Sequence, residues 1–194
     1  MTNQGLLILL LLSCIVIYLV WDTYFQGNMT YVKSTVDDKE YMVQELPDKQ
    51  EAANLLANIS ANLNTLILHL TKISPDDERT KQIKANYRPD QISEGSEQGK
   101  FTSYSINKGE RIVFCLRSKD EQKVLMDLNT MMFVALHELA HVGTKSTGHT
   151  EEFWDNFKWL LEEAIQIGIY KQQDFKTKPI KYCGTNITSS PLDN

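Results

Sequence analysis

The chain carries His137-Glu138-Leu139-Ala140-His141, and His149 follows across a short polar stretch. Two histidines four positions apart lie on one face of an α-helix, one turn from each other. Both imidazoles can then reach one ion at about 2.0–2.1 Å. A glutamate beside the first of them is placed to take a proton from a water activated by that ion, which is how zinc peptidases hydrolyse amides. Three of the four histidines fall in this segment. A glutamate buried between two buried histidines is costly without a cation, which favours a metal site over a core helix with two hydrogen-bonded histidines. The third zinc ligand is expected to be His149. Its rivals are Glu151 and Glu152, because many zinc peptidases take a carboxylate from the following helix. The fourth position is left for water. His69 lies far upstream and reads as an ordinary helix residue.

The chemistry expected of this set is hydrolysis of a peptide bond. Glu138, as general base, takes a proton from the attacking water and passes it to the leaving amine. One further donor would support the oxyanion. Tyr170, Tyr182 and Arg117 can each supply it, and the sequence does not choose among them.

These side chains need elements to hold them. Asn129-Thr130 offers a helix N-cap before the apolar run Met131 to Leu136, and Gly143 offers a stop just after His141. The metal motif therefore belongs to a short, largely buried helix. Gly143 and Gly148 permit the return that brings His149 back. Thr150 can cap a second helix reaching about Ile167, with Glu151 and Glu152 at its positive end and Phe153, Trp154, Phe157, Leu160, Leu161, Ala164 and Ile165 on its buried face. Ahead of the motif, about Phe101–Ile106 and Arg111–Leu116 read as a hairpin turning at Asn107-Lys108-Gly109. An edge strand there can hold an extended peptide across the metal. Further upstream, Pro47-Asp48 opens a helix to about Lys72 with Leu55, Ile59, Leu63, Leu66 and Leu70 on one face. Ser74, as a cap, starts another that ends before Arg88-Pro89. Residues 90–100 read as a loop, and 171–194 as mostly irregular.

The stretch from His137 to His149, with Glu151-Glu152-Phe153-Trp154 after it, resembles the zincin superfamily, and most of all its WLM and SprT-like branch. The segment from about Thr102 to Leu192 is also similar to metallopeptidases encoded by large nucleocytoplasmic DNA viruses. That likeness is carried by Ser105-Ile106-Asn107-Lys108-Gly109-Glu110, Cys115-Leu116-Arg117, the zinc motif, Ile167-Gly168-Ile169-Tyr170 and Tyr182-Cys183-Gly184. The resemblance implies a zincin-like α+β domain. The chain departs from the metzincin pattern: Thr144 stands where that pattern has glycine, and the third histidine comes later. The long insertions of cellular SprT-like proteins, which go with DNA repair, are absent from it.

Gly5 to Trp21 is an uncharged, proline-free apolar run, expected to form a transmembrane helix and act as an uncleaved signal anchor. The organisation expected is then a tail at 1–4, the membrane helix at 5–21, a stalk at 22–45 and a zincin-like domain at 46–194. Within that domain, 47–88 is a helical subregion and 100–170 the zinc-binding core. The expected location is a single-pass membrane protein of a virion or a host internal membrane, with capsid or membrane proteins as neighbours. The membrane face stays open. Lys33 and Lys39 favour a cytoplasmic domain, whereas sequons at Asn28, Asn58 and Asn186 favour the opposite side. Cys115 and Cys183 can pair or remain free thiols.

The formal net charge of −5 and pI near 5.4, without a basic stripe, argue against a nucleic-acid partner. No repeat or Gly-rich phosphate loop is present. The expectation is a membrane-anchored zinc metallopeptidase acting on peptides or proteins. The alternative is a structural, virion- or membrane-associated protein that retains a zincin fold with little or no catalysis.

Overall fold

The computed structural model describes residues 3–25, 29–97, 99 and 102–193. Helix α1 (Asn3–Phe25) leads into a hairpin of β1 (Met29–Lys33) and β2 (Glu40–Gln44). The long helix α2 (Lys49–Ile73) and the shorter α3 (Glu78–Asn86) follow. Next come β3 (Ile92–Glu94), β4 (Tyr104–Ile106), β5 (Arg111–Phe114), then α4 (Leu128–Gly143) and α5 (Glu151–Gln166). A small hairpin of β6 (Ile180–Tyr182) and β7 (Thr185–Ile187) closes the chain. This is an α+β arrangement, as the resemblance implied.

The core lies between α2, α4, α5 and the central strand β5. The stripe expected on α2 holds: Ile59, Leu63, Leu66 and Leu70 are fully buried, while Leu55 is half-buried at the edge of the face. Each leucine so buried contributes about 1.5–3 kcal/mol relative to exposure. On α5, Phe153, Phe157, Leu160, Leu161 and Ala164 are buried. Trp154 and Ile165, expected among them, are exposed, because the helix is rotated so that both lie beyond the edge of the buried stripe.

The sheet order is β3-β5-β4, with β4 antiparallel and β3 parallel to β5. The hairpin before the metal motif is therefore present, shorter than expected at both strands. Strand β3 falls in the expected loop. It is only three residues long, fully buried, and pairs across the chain, so no local alternation announces it. Its Glu94 is held by Arg117 Nε at 2.7 Å and by the Gln44 amide at 2.8 Å, and Arg117 also reaches Asp48 at 2.6 Å. Arg117 is thereby committed to the core, joining β2, β3 and the start of α2.

Several boundaries differ from expectation for local reasons. Residues 29–44, expected within a stalk, form a hairpin that seats Tyr41 and Val43 in the core. Helix α3 is capped by Asp77, which accepts from the Arg79 amide, while Ser74 terminates α2. Helix α4 begins at Leu128 with Asp127 as cap, because a carboxylate two positions ahead of Asn129 reaches the Thr130 amide. Gly143 is the last residue of α4, where a Cβ would meet the Ile83 side chain at 3.0 Å, so it serves close helix packing and is no left-handed stop. The tail folds into β6 and β7 through Cys183-Gly184, both at positive φ (47° and 81°), the requirement of a two-residue primed turn. Cys115 and Cys183 are joined in a disulfide, with 6.1 Å between their Cα atoms.

The expected membrane location is not supported. Among the described residues no helix is long and apolar enough to cross a membrane.

Candidate metal centre

Helix α4 places His137 and His141 on one face, one turn apart, and the loop after it returns His149 against both. One nitrogen from each imidazole lies within 4.8 Å of the others, and His137 Nε2 is 3.1 Å from His149 Nε2. Nitrogens around a tetrahedral zinc stand about 3.3 Å apart, close to the spacing of the His137 and His149 nitrogens, and His141 lies near enough to complete the set. Burial, then the neighbouring imidazoles, pushes the His137 pKa down to about 3; burial, then His149 and Lys108, pushes His141 down to about 4. Both rings are neutral near pH 7 and offer lone pairs, as metal ligation requires.

Phe153, the third residue of α5, forms the floor under the three rings. It stacks on His141 with centroids 4.3 Å apart and meets His149 and His137 edge-on at 4.7 and 4.9 Å. The spacing of Phe153 marks only a buried helix face, so its role toward the imidazoles was hidden in the sequence.

The loop carrying His149 is held from two sides. Lys108 Nζ donates to the carbonyls of Thr144 (2.5 Å), Lys145 (3.2 Å) and Ser146 (2.6 Å), placing a cation at the negative end of α4. Glu152 accepts from the amides of Lys145 (3.0 Å) and Ser146 (3.1 Å). Glu152, the rival ligand, is thus occupied by the loop, and Glu151 lies outside the cluster formed by His137, His141 and His149. Below them, Asn156 Nδ2 donates to Thr144 Oγ1, which donates to the Ala140 carbonyl at the last turn of α4. Thr150 caps α5 as expected. Lys108 lay in a segment legible only as a turn, and nothing in its spacing pointed to this clamp.

Glu138 is buried on the same helix, directed towards β4. Burial raises its pKa to about 8, and a backbone hydrogen bond from Ser105 opposes the rise. A cation beside it would favour the carboxylate and reverse the shift. A cavity of roughly 600 Å³ opens over Glu138 and the histidines and runs along the edge strand β4 past Ser103 and Ser105. Of the three candidate oxyanion donors, Tyr182 lines this cavity. Tyr170 packs in the core against Phe133, and Arg117 is tied to Glu94 and Asp48. His69 is engaged with Glu163 at 2.8 Å, linking α2 to α5.

Comparisons with known proteins show the family to which the chain belongs. An uncharacterised protein of Acanthamoeba polyphaga mimivirus is 34% identical over 95% of both chains. An uncharacterised protein of Invertebrate iridescent virus 6 is 39% identical over 42% of this chain and 44% of its own length. The crystal structure of Wss1 from Saccharomyces cerevisiae aligns at 21% identity over 64% of this chain and 85% of that one, with a TM-score of 0.48. Residues 36–192 match the WLM domain, so the matched region starts before the expected boundary at 46. With that match and the full-length viral relative, the chain belongs to the WLM domain family, whose character is metallopeptidase-like.

Proposed function

We propose that this protein is a zinc-dependent peptidase in which His137, His141 and His149 hold the ion and Glu138 is the general base. The observation that carries the reading is the convergence of three imidazoles beside a buried carboxylate, on a cavity bounded by an edge strand. The donor set suits zinc, since borderline imidazole ligands in a three-point array leave one position open. When bound, zinc supplies a Lewis acid that makes water a nucleophile near neutral pH.

The chain's own residues do the rest. Strand β4 is the outer strand of its sheet and lies beside the site, so an extended peptide can add to it and pass in front of the histidines. Glu138, shielded from bulk solvent, accepts a proton from the attacking water and delivers it to the departing amine. Phe153 keeps the imidazole planes from turning, and the clamp of Lys108 and Glu152 keeps His149 in reach.

The test is the zinc content of the full chain, paired with cleavage of an unstructured protein by wild type and Glu138→Gln. One zinc per chain, with cleavage lost in the variant, is expected. One zinc with no cleavage by wild type would favour a structural protein on a zincin scaffold. Absence of zinc would overturn the ligand assignment.

A further inference from the structure

We propose that Tyr182 is a second catalytic side chain of this site, the donor to the substrate carbonyl oxygen, and that the Cys115–Cys183 disulfide is what holds it there. The proposal rests on the peptidase reading above and adds a residue and a covalent control to it.

Tyr182 comes from the terminal hairpin, far in sequence from α4, yet it stands in the wall of the cavity that contains Glu138 and the three histidines. Its ring is almost wholly buried, with 3% exposed, so the phenol cannot swing into solvent. Its hydroxyl is 2.6 Å from Ser103 Oγ, and Ser103 Oγ accepts from the Cys115 amide at 3.0 Å. Ser103 Oγ, already accepting from the Cys115 N–H, still has its own hydrogen to donate to the phenol oxygen; in that arrangement the phenol hydrogen is left for an acceptor in the cavity. A phenol donor held in the same cavity wall as the general base is the arrangement that stabilises charge developing on a carbonyl oxygen. No bond of the tyrosine is made or broken; it contributes one hydrogen bond that strengthens as the oxygen becomes anionic.

The two anchors of Tyr182 meet at one residue. The hydroxyl is tied through Ser103 to the Cys115 amide, and the next residue, Cys183, is tied by its sulfur to Cys115. Strand β7 pairs only with β6 among the described residues, so the hairpin has no sheet to register it against β5. The disulfide supplies that register. Cutting it leaves the hairpin attached by side-chain packing and by the Ser103 hydrogen bond, and frees the phenol to leave the wall.

The experiment measures binding of an uncleavable peptide phosphinate, whose tetrahedral anionic oxygen mimics the oxyanion, to the zinc-loaded full chain. Tyr182→Phe keeps the ring and is expected to bind the phosphinate about 10²–10³-fold more weakly, the effect of removing one such donor. Zinc content and the affinity of an uncharged peptide of the same sequence should stay unchanged. Tyr170→Phe, outside the cavity, should bind the phosphinate as wild type does. A phosphine reductant that opens the disulfide should weaken phosphinate binding at least tenfold in wild type and add little in Tyr182→Phe. Wild-type phosphinate affinity in Tyr182→Phe would overturn the donor role. An equal loss on reduction in both proteins would overturn the disulfide's role as the holder of the phenol. If wild type neither binds the phosphinate nor cleaves protein, the peptidase reading itself fails and this role falls with it. If wild type cleaves, Glu138→Gln does not, and Tyr182→Phe is unimpaired, only the present inference fails.

Discussion

Replacing Phe153 with leucine tests whether the aromatic floor under the histidines belongs to the metal site or merely to the core. The ring is fully buried and touches three imidazoles at 4.3, 4.7 and 4.9 Å between centroids. Each aromatic contact of this kind adds about 0.5–1.5 kcal/mol beyond its apolar area. Leucine keeps most of the apolar burial, so the net loss should be about 2 kcal/mol, lowering the melting temperature by about 4–8 °C for a chain of this size. If that energy orients the imidazoles, metal affinity falls by up to roughly 30-fold, since about 1.4 kcal/mol is one factor of ten. Phe114→Leu is the control, because Phe114 is equally buried on β5 and has no described ring contact with the histidines. The assays are chelator competition for zinc and thermal melts with and without the metal. The expected result is a comparable loss of stability in both variants, with weakened zinc binding only in Phe153→Leu. Zinc affinity within threefold of wild type in Phe153→Leu would refute the reasoning and return Phe153 to the core.

Glu152→Ala should keep one zinc per chain, measured by metal analysis, while its affinity falls several-fold, because Glu152 bonds the loop amides and lies outside the donor triad; loss of stoichiometric zinc would make it a ligand. In the metal-free protein, His137 and His141 titrate at about 3 and 4 rather than 6.5, so the unfolded chain binds more protons between those values and stability should fall as pH drops below about 6.5. Glu138 has the opposite sign: raised to about 8 from 4.5, its contribution is full below 4.5 and lost as pH rises through 8. Between about pH 7 and 8, where the histidines are largely neutral in both states, urea midpoints of metal-free protein should therefore decline more steeply in wild type than in Glu138→Gln, and parallel profiles there would contradict this. Arg117→Met strands the fully buried Glu94 carboxylate, so stability measured by urea denaturation should fall by about 3–5 kcal/mol, whereas a loss under 1 kcal/mol would mean the pair is not a structural tie.

Much of the site was legible in the chain because its determinants are local. The i, i+4 spacing puts His137 and His141 on one helix face whatever surrounds it, with Glu138 beside them on the same helix. Thr150 as a cap and the leucine stripe of α2 are likewise settled within a few residues, by one hydrogen bond and by helical period. What stayed hidden depends on partners distant in sequence. Strand β3 exists through pairing with β5, and three residues carry no readable alternation. The stalk reading of 29–44 failed because that hairpin is stabilised by the core it packs on, through Tyr41 and Val43, and not by a strong pattern of its own. Phe153, Lys108 and Asn156 serve the metal loop through contacts across elements, while in sequence they are a helix-face residue, a turn residue and a polar position.

The sequence by itself determined the His137-Glu138-x-x-His141 motif, the helices around it and the α+β class, because helical periodicity and capping are short-range effects. Only the tertiary structure decided that His149 meets the other two histidines, that Glu152 serves the loop, that Cys115 pairs with Cys183, and that Tyr182, alone of three candidate donors, faces the cavity. Those outcomes turn on how α5 and the terminal hairpin dock against α4 and β5, and docking is set by long-range packing that no local spacing records.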